Sequence, residues 1–197
     1  MNAHGWSPDG ARLLYHLAFG DQKTASGLWL MTMPWSRSVP FRNDRFRYPQ
    51  AALSPDGHWV AYASNQSGRY EIYVESFPTP GRRVHVSTDG GTQPRWRRDQ
   101  KELYFLSADS RLIAVPANLG VEAKLGIATP LFTLAMPGGA MSGGPLPGGA
   151  GEVSATQYDV SADGRFLAAV VEPHVPDRPP VTVAFNATAA LKPSPVR

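Results

Sequence analysis

Four aspartates that recur along the chain could supply carboxylate ligands to a cation. They are Asp9, Asp56, Asp99 and Asp163, and the first, second and fourth are followed directly by glycine. A calcium loop places several oxygen ligands within about twelve residues, whereas each of these aspartates lacks such a series of carboxylates. An Asp-Gly step is typical of two-residue hairpin turns, because glycine adopts positive φ freely and the carboxylate accepts hydrogen bonds from nearby N–H groups. The aspartates therefore predict turns and no metal; where Gln100 follows Asp99, either Gln100 is left-handed or the turn type differs.

The residues that most often perform catalysis show no catalytic spacing in this chain. There is no cysteine and no Gly-x-Ser-x-Gly sequence, so neither a thiol nucleophile nor a hydrolase nucleophile elbow is indicated. No two histidines have a metal-ligand spacing on a shared element. The five histidines are His4, His16, His58, His85 and His174. We therefore expect no catalytic residue, no cofactor and no metal site, and we predict that the chain is not an enzyme.

A basic, aromatic stretch from Arg95 to Arg98 raises the question of a nucleic-acid or acidic partner. The net charge of +3, from 19 basic and 16 acidic residues, is small for 197 residues, and it argues against binding to a phosphate backbone. We therefore expect no nucleic-acid partner. A basic rim that binds an acidic partner is the remaining functional interpretation of the arginines. Its members would be Arg42, Arg45, Arg47, Arg82, Arg83, Arg95 and Arg97.

The surroundings of Trp96 occur four times in the sequence, and this repeat predicts the fold. The segments are "WSPDGARLLYHL", "LSPDGHWVAYAS", "WRRDQKELYFLS" and "VSADGRFLAAVV", which start near residues 6, 53, 96 and 160. A period of about 45 residues with strand-like content is typical of β-propeller blades, each a sheet of four strands. We predict an all-β propeller of about four blades of four antiparallel strands, within a ring of six or more. Trp96 is then a core residue between blades.

Strand bounds follow from alternating apolar residues and from the turn residues between them. In the second repeat we predict strands at 50–54, 58–63, 70–76 and 82–87. In the third repeat we predict strands at 93–97, 101–107, 111–116 and 129–134. Residues 135–151 are rich in glycine and proline and predict a flexible loop between blades. Residues 1–197 would form one propeller domain or part of one.

The repeats resemble a known family, the TolB-like and WD-repeat-like β-propeller repeats of bacterial proteins. The likeness rests on "LSPDGHWVAYASNQSGRYEIYVESFP", "STDGGTQPRWRRDQKELYFLS" and "YDVSADGRFL". It implies the propeller portion of a larger protein, where such repeats often follow a serine/threonine kinase or a DNA-binding regulatory domain. The kinase motifs are absent from this sequence. The repeat and the lack of any catalytic constellation favour a non-catalytic module for protein interaction or sensing. The alternative is an accessory propeller of a kinase or a prolyl-oligopeptidase-type peptidase whose catalytic domain is absent here.

Propeller geometry predicts where a binding face would lie. The loop between the second and third strands of a blade and the link to the next blade lie on the same side. This places seven residues on a predicted interaction face. They are Asn65, Gln66, Arg69, Asp109, Arg111, His174 and Asp177.

A protein is the expected partner, and self-association through exposed blade edges is a second expectation. The sequence has no signal-peptide pattern and no long apolar run, so we expect no membrane contact from this chain. As written the sequence predicts a cytoplasmic chain, whereas a periplasmic or extracytoplasmic propeller is the alternative if the chain belongs to a longer, membrane-anchored protein. The compartment is therefore left open.

Overall fold

A computed structural model describes residues 2–17, 27–34, 37–134, 156–170 and 182–185. Its described elements are all strands, and no helix occurs in these ranges. Their bounds are β1 Asn2–Trp6, β2 Arg12–Leu17, β3 Gly27–Thr32, β4 Arg37–Arg42, β5 Ala51–Leu53, β6 Trp59–Ser64, β7 Glu71–Ser76, β8 Arg83–His85, β9 Thr92–Trp96, β10 Glu102–Leu106, β11 Arg111–Leu119, β12 Ala123–Leu125, β13 Thr129–Thr133, β14 Tyr158–Val160, β15 Phe166–Val170 and β16 Thr182–Phe185.

The strands form four consecutive antiparallel sheets, and each sheet is one blade. The first has the order β1-β2-β3-β4 and the second β5-β6-β7-β8. The third has the order β12-β11-β10-β9 with β13 also paired to β11, and the described part of the fourth is β14-β15-β16. The first strand of each of the later blades contacts the first strand of the blade before it. This arrangement confirms the predicted propeller fold.

The third blade differs from the prediction by one additional strand. Strand β11 extends to Leu119, and its second half forms a hairpin with β12, where Ala117 pairs with Leu125. Its first half pairs with β13, where Arg111 lies opposite Thr133. Strand β12 was not predicted, because a three-residue strand followed by glycine is too short to show an alternating pattern.

The core lies between the blades, because each central strand buries both of its faces. On β6, Val60 and Tyr62 pack toward the first blade, while Trp59 and Ala61 pack toward the third blade. On β10, the same alternation sends Tyr104 toward the fourth blade. The sequences of these strands are therefore almost continuously apolar. Successive side chains point to opposite faces of the sheet, so alternate residues contact the preceding and the following blade.

Trp96 occupies the position predicted for it. It is only 8% exposed, and its indole Nε1 donates a 3.1 Å hydrogen bond to the carbonyl oxygen of Ala52 in the preceding blade. The aromatic part of the "PRWRR" stretch therefore stabilises the contact between the second and third blades.

The Asp-Gly turns are present, but they are wider than the predicted two-residue hairpins. In the first blade, Gly10 N–H donates to the Ser7 carbonyl at 2.8 Å and Ser7 N–H donates to the Arg12 carbonyl at 2.8 Å, so four residues close the turn. Gly10 has a positive φ of 67°. The role of Asp9 is different, because its carboxylate accepts the Ala11 N–H at 3.0 Å. At the matching position in the third blade, Gln100 is left-handed with φ of 64°. A two-residue type I′ hairpin would need positive φ at both central residues. The observed four-residue turn needs it only at the glycine position, so the turn is wider than predicted.

Candidate functional site

One side of the propeller combines strand-connecting loops with the links between blades. The Arg47 N–H, in the link before the second blade, donates to the Asn65 Oδ1 at 2.9 Å. The Arg69 guanidinium donates to the Thr88 carbonyl in the link after that blade and to Glu71 at 2.7 Å. The β6–β7 loop is therefore fastened to both neighbouring links. We call this side the loop face, made of residues 43–50, 65–70, 86–91 and 107–111.

Asp109 and Arg111 lie on the loop face and form a turn of their own. The Ser107 hydroxyl donates to Asp109 at 2.6 Å, and Arg111 Nε lies 2.8 Å from an Asp109 oxygen. The bond from Ser107 lowers the pKa of Asp109, with a further contribution from Arg111. The loop lies close to the preceding link, since a Cβ on Gly90 would be 2.9 Å from the Ala108 Cβ. The carboxylate of Asp109 therefore stabilises its own turn.

His174 and Asp177, also predicted for the interaction face, lie outside the described residues, as does the predicted loop 135–151. Of the predicted set, the structure therefore places Asn65, Gln66 and Arg69 together on one loop and Asp109 with Arg111 on the next.

A groove opens on the loop face beside Gln66. It has a volume of about 570 Å³ and lies between the link that precedes the second blade and the outer strands of that blade. Its lining consists of Phe46, Gln66, Ser67, Tyr73, Arg83 and His85. Of these residues, the sequence analysis placed Gln66 on the interaction face and Arg83 in the basic rim. It did not identify Phe46, Tyr73 and His85, because they come from a link and two strands that only the tertiary fold brings together.

Aromatic and cationic groups are stacked inside this groove. The rings of Tyr73 and His85 are nearly parallel, 8° apart, with centroids 4.7 Å from each other. The Arg83 guanidinium carbon lies 5.6 Å from the centre of the Tyr73 ring, and its NH1 donates to the Gln66 Oε1 at 3.1 Å. On the opposite wall lies Phe46, and the guanidinium carbon of the neighbouring Arg45 is 5.2 Å from the centre of its ring. Both arginines are therefore positioned by aromatic faces.

A buried ion pair supports the groove from below. Glu75 is fully buried, and it accepts hydrogen bonds from Arg42 Nε at 2.9 Å and from the Tyr62 hydroxyl at 2.8 Å. Burial and the neighbouring Glu75 raise the pKa of Tyr62, so this hydroxyl remains a donor. Since Arg42 belongs to the first blade, the pair also fixes the first blade to the second.

The first strands of the blades carry a series of polar contacts that the sequence analysis did not identify. Gln93 N–H donates to the Gln50 Oε1 at 3.0 Å, and Gln157 N–H donates to the Gln93 Oε1 at 2.7 Å. In the first blade His4 takes this role, because its Nδ1 accepts the Ala51 N–H at 3.3 Å. The sequence does contain a pattern that could have predicted these contacts, because a glutamine stands three residues before the repeat start in the second, third and fourth repeats.

His4 and His16 lie side by side although they belong to different strands. A 2.9 Å contact joins the His4 Nε2 to the His16 Nδ1. Burial, then His16 and Arg95, lower the pKa of His4 to about 3, and burial also lowers that of His16. Both imidazoles are therefore neutral near pH 7. Within the described ranges no three His, Cys, Asp or Glu side chains are grouped so as to hold a metal ion.

The described part of the chain also contains no helix of the length and apolarity required to cross a membrane.

Comparisons with known proteins agree with the geometry. No family model matches the sequence. An uncharacterized protein of Agrobacterium fabrum is 25% identical over 123 residues, which are 62% of this chain and 41% of that protein. The solved structure of TolB from Acinetobacter baumannii is similar with a TM-score of 0.59 and 16% identity over 95% of this chain and 41% of that one.

A third similarity is to a protein provisionally assigned as TolB from Agrobacterium tumefaciens, with a TM-score of 0.52 and 23% identity over 67% of this chain and 49% of that one. The chain thus spans less than half the length of each of these proteins. The class of protein is a β-propeller. More particularly, the four blades have a TolB-like fold.

Proposed function

We propose that this chain is a non-catalytic β-propeller module that binds a protein partner through the loop face. The observation that carries the proposal is the lining of the groove. Among the described residues that line it there is no carboxylate, and its histidine is stacked on Tyr73. Arginine and aromatic side chains are instead the residues enriched at protein interfaces and their energetic centres.

The chemistry of the other predicted face residues supports a binding role rather than catalysis. Asn65 accepts a backbone N–H, Arg69 fastens a link and Asp109 closes a turn with Arg111. These contacts hold the loops in fixed positions. A surface with preset loops loses little conformational entropy on binding, which favours affinity.

A site-specific photo-crosslinker tests this proposal. It would replace Gln66 on the loop face in the full chain, expressed in the organism that encodes it, and the adducts would be identified by mass spectrometry. The matched control replaces the exposed Lys101, which lies in a turn at the opposite end of the strands. We expect discrete protein adducts from position 66 and none from position 101. Equal adducts from both positions, or none from position 66, would contradict the proposal.

A further inference from the structure

Two arginines beside the groove differ in their partners from most of the other described arginines. In the described ranges eight arginines lie within ion-pair distance of a carboxylate. They are Arg12, Arg42, Arg69, Arg82, Arg95, Arg97, Arg111 and Arg165. Arg45 and Arg83 are exposed and instead lie over the rings of Phe46 and Tyr73. Within the same ranges neither lies within ion-pair distance of a carboxylate. Arg83 lines the groove, and Arg45 stands next to Phe46, which also lines it.

The nearby carboxylates do not cancel this positive charge. Glu75 lies opposite Arg83 across the β7–β8 pair, but its oxygens accept bonds from Arg42 and Tyr62. The two oxygens of Asp44 accept the Phe46 N–H at 2.9 Å and the Tyr48 hydroxyl at 2.7 Å. Neither carboxylate therefore forms an ion pair with Arg45 or Arg83.

The donors of Arg83 are also only partly used. A guanidinium has five N–H donors in a planar fork that matches a carboxylate. NH1 of Arg83 bonds to Gln66, and the group also interacts with the Tyr62 hydroxyl. These contacts and the Tyr73 ring restrain the group, so its remaining donors are presented with little loss of side-chain entropy.

We infer that the groove binds an acidic, extended peptide segment of a partner protein, a step that rests on the proposed function and specifies the chemistry of its partner. Carboxylates of the segment accept hydrogen bonds from Arg83 and are attracted by Arg45, and an apolar side chain between two carboxylates packs on Phe46. Charge complementarity with an uncompensated cationic groove favours this occupant over a neutral or basic segment.

Fluorescence anisotropy with defined peptides tests the inference. The probe is a labelled eight-residue peptide of alternating Glu and Val, compared with the same peptide carrying Gln or Lys in place of Glu. With the full chain we expect saturable binding of the Glu peptide, at least tenfold weaker binding of the Gln peptide and no binding of the Lys peptide. Raising the salt concentration should weaken binding of the Glu peptide.

Variants separate this groove from general electrostatic attraction. R83Q should weaken binding of the Glu peptide at least fivefold, and R45Q/R83Q should abolish it. R165Q is the matched control, because it removes one exposed positive charge that is likewise paired with an aspartate, Asp163, but lies in a turn of the fourth blade outside the loop face. R165Q should change the affinity less than twofold. Thermal unfolding of each variant shows whether the fold is retained, and R83K, which keeps the charge, gives an intermediate affinity.

The outcomes distinguish this inference from the proposed function. If the Glu peptide does not bind, or if R83Q and R165Q weaken its binding equally, the acidic-peptide inference is wrong. Adducts from position 66 would then still support a loop-face partner of other chemistry. If position 66 gives no adducts, the proposed function fails, and the inference that depends on it fails as well.

Discussion

The backbone N–H of Gln93 in the third blade donates a 3.0 Å hydrogen bond to the side-chain Oε1 of Gln50 in the second blade. Both glutamines are almost fully buried, at 1% and 2% exposure. The bond links the first strands of neighbouring blades, and the bond from Gln157 to Gln93 repeats it one blade further on. A buried N–H without an acceptor is costly. These glutamines are therefore essential to how one blade is joined to the next.

Replacing Gln50 with leucine should destabilise the chain by about 1–3 kcal/mol, since the buried Gln93 N–H would lose its acceptor without gaining water. Urea unfolding of the two proteins measures the difference. Gln66→Ala is the control, because this glutamine bonds to the exposed Arg83, and its effect should stay within about 0.5 kcal/mol. Equal loss in both variants would show that the contact between the blades does not depend on the Gln50 side chain.

His4 should make the stability of the chain depend on pH. Its pKa in the folded chain is lowered to about 3, whereas a histidine in the unfolded chain titrates near 6.5. Between these values the unfolded state binds more protons, so the free energy of unfolding rises with pH. We expect the stability contributed by neutral His4 to be complete above about pH 6.5 and to decrease as the pH falls toward 3, by up to about 1.4 kcal/mol per pH unit.

His4→Gln tests this expectation directly, because glutamine performs the same function in the later blades. The variant should retain an acceptor for the Ala51 N–H and should lose part of the acid sensitivity between pH 6.5 and pH 4 in urea unfolding. His58→Gln, an exposed histidine beside a turn, should follow the parent curve. A His4→Gln curve as steep as that of the parent would contradict the assignment.

The ion pair beneath the groove should contribute far more to stability than an exposed one. Arg42→Met leaves the fully buried Glu75 without its cation, and removing one partner of a buried pair costs about 3–5 kcal/mol. Arg111→Met breaks the exposed pair with Asp109 and should cost at most about 1 kcal/mol. Thermal unfolding provides the comparison; similar losses in the two variants would mean that Glu75 gains water or another donor when Arg42 is absent.

The sequence was sufficient for the features that depend on local pattern. The repeat placed Trp96 between blades, and the structure confirms this through its bond to Ala52. The groove was not predictable in the same way, because Phe46 and Arg83 are far apart in sequence and come together only where the link before the second blade lies against the outer strands of that blade. The ion pair of Arg42 with Glu75 also could not be predicted, because the two residues are far apart in sequence and belong to different blades.

Two glycines at the same turn position offer a matched test of backbone strain and crowding. Gly10 and Gly57 have similar φ values, 67° and 71°. A Cβ on Gly10 would meet nothing within 4 Å, whereas a Cβ on Gly57 would lie 2.8 Å from Pro8 in the neighbouring blade. Gly10→Ala should therefore cost only the strain of a left-handed alanine, about 1 kcal/mol. Gly57→Ala should cost roughly twice as much, because the turns of the first two blades must also move apart. Urea unfolding of both variants gives the difference, and equal costs would show that Pro8 shifts freely and that these two turns do not restrain the blades.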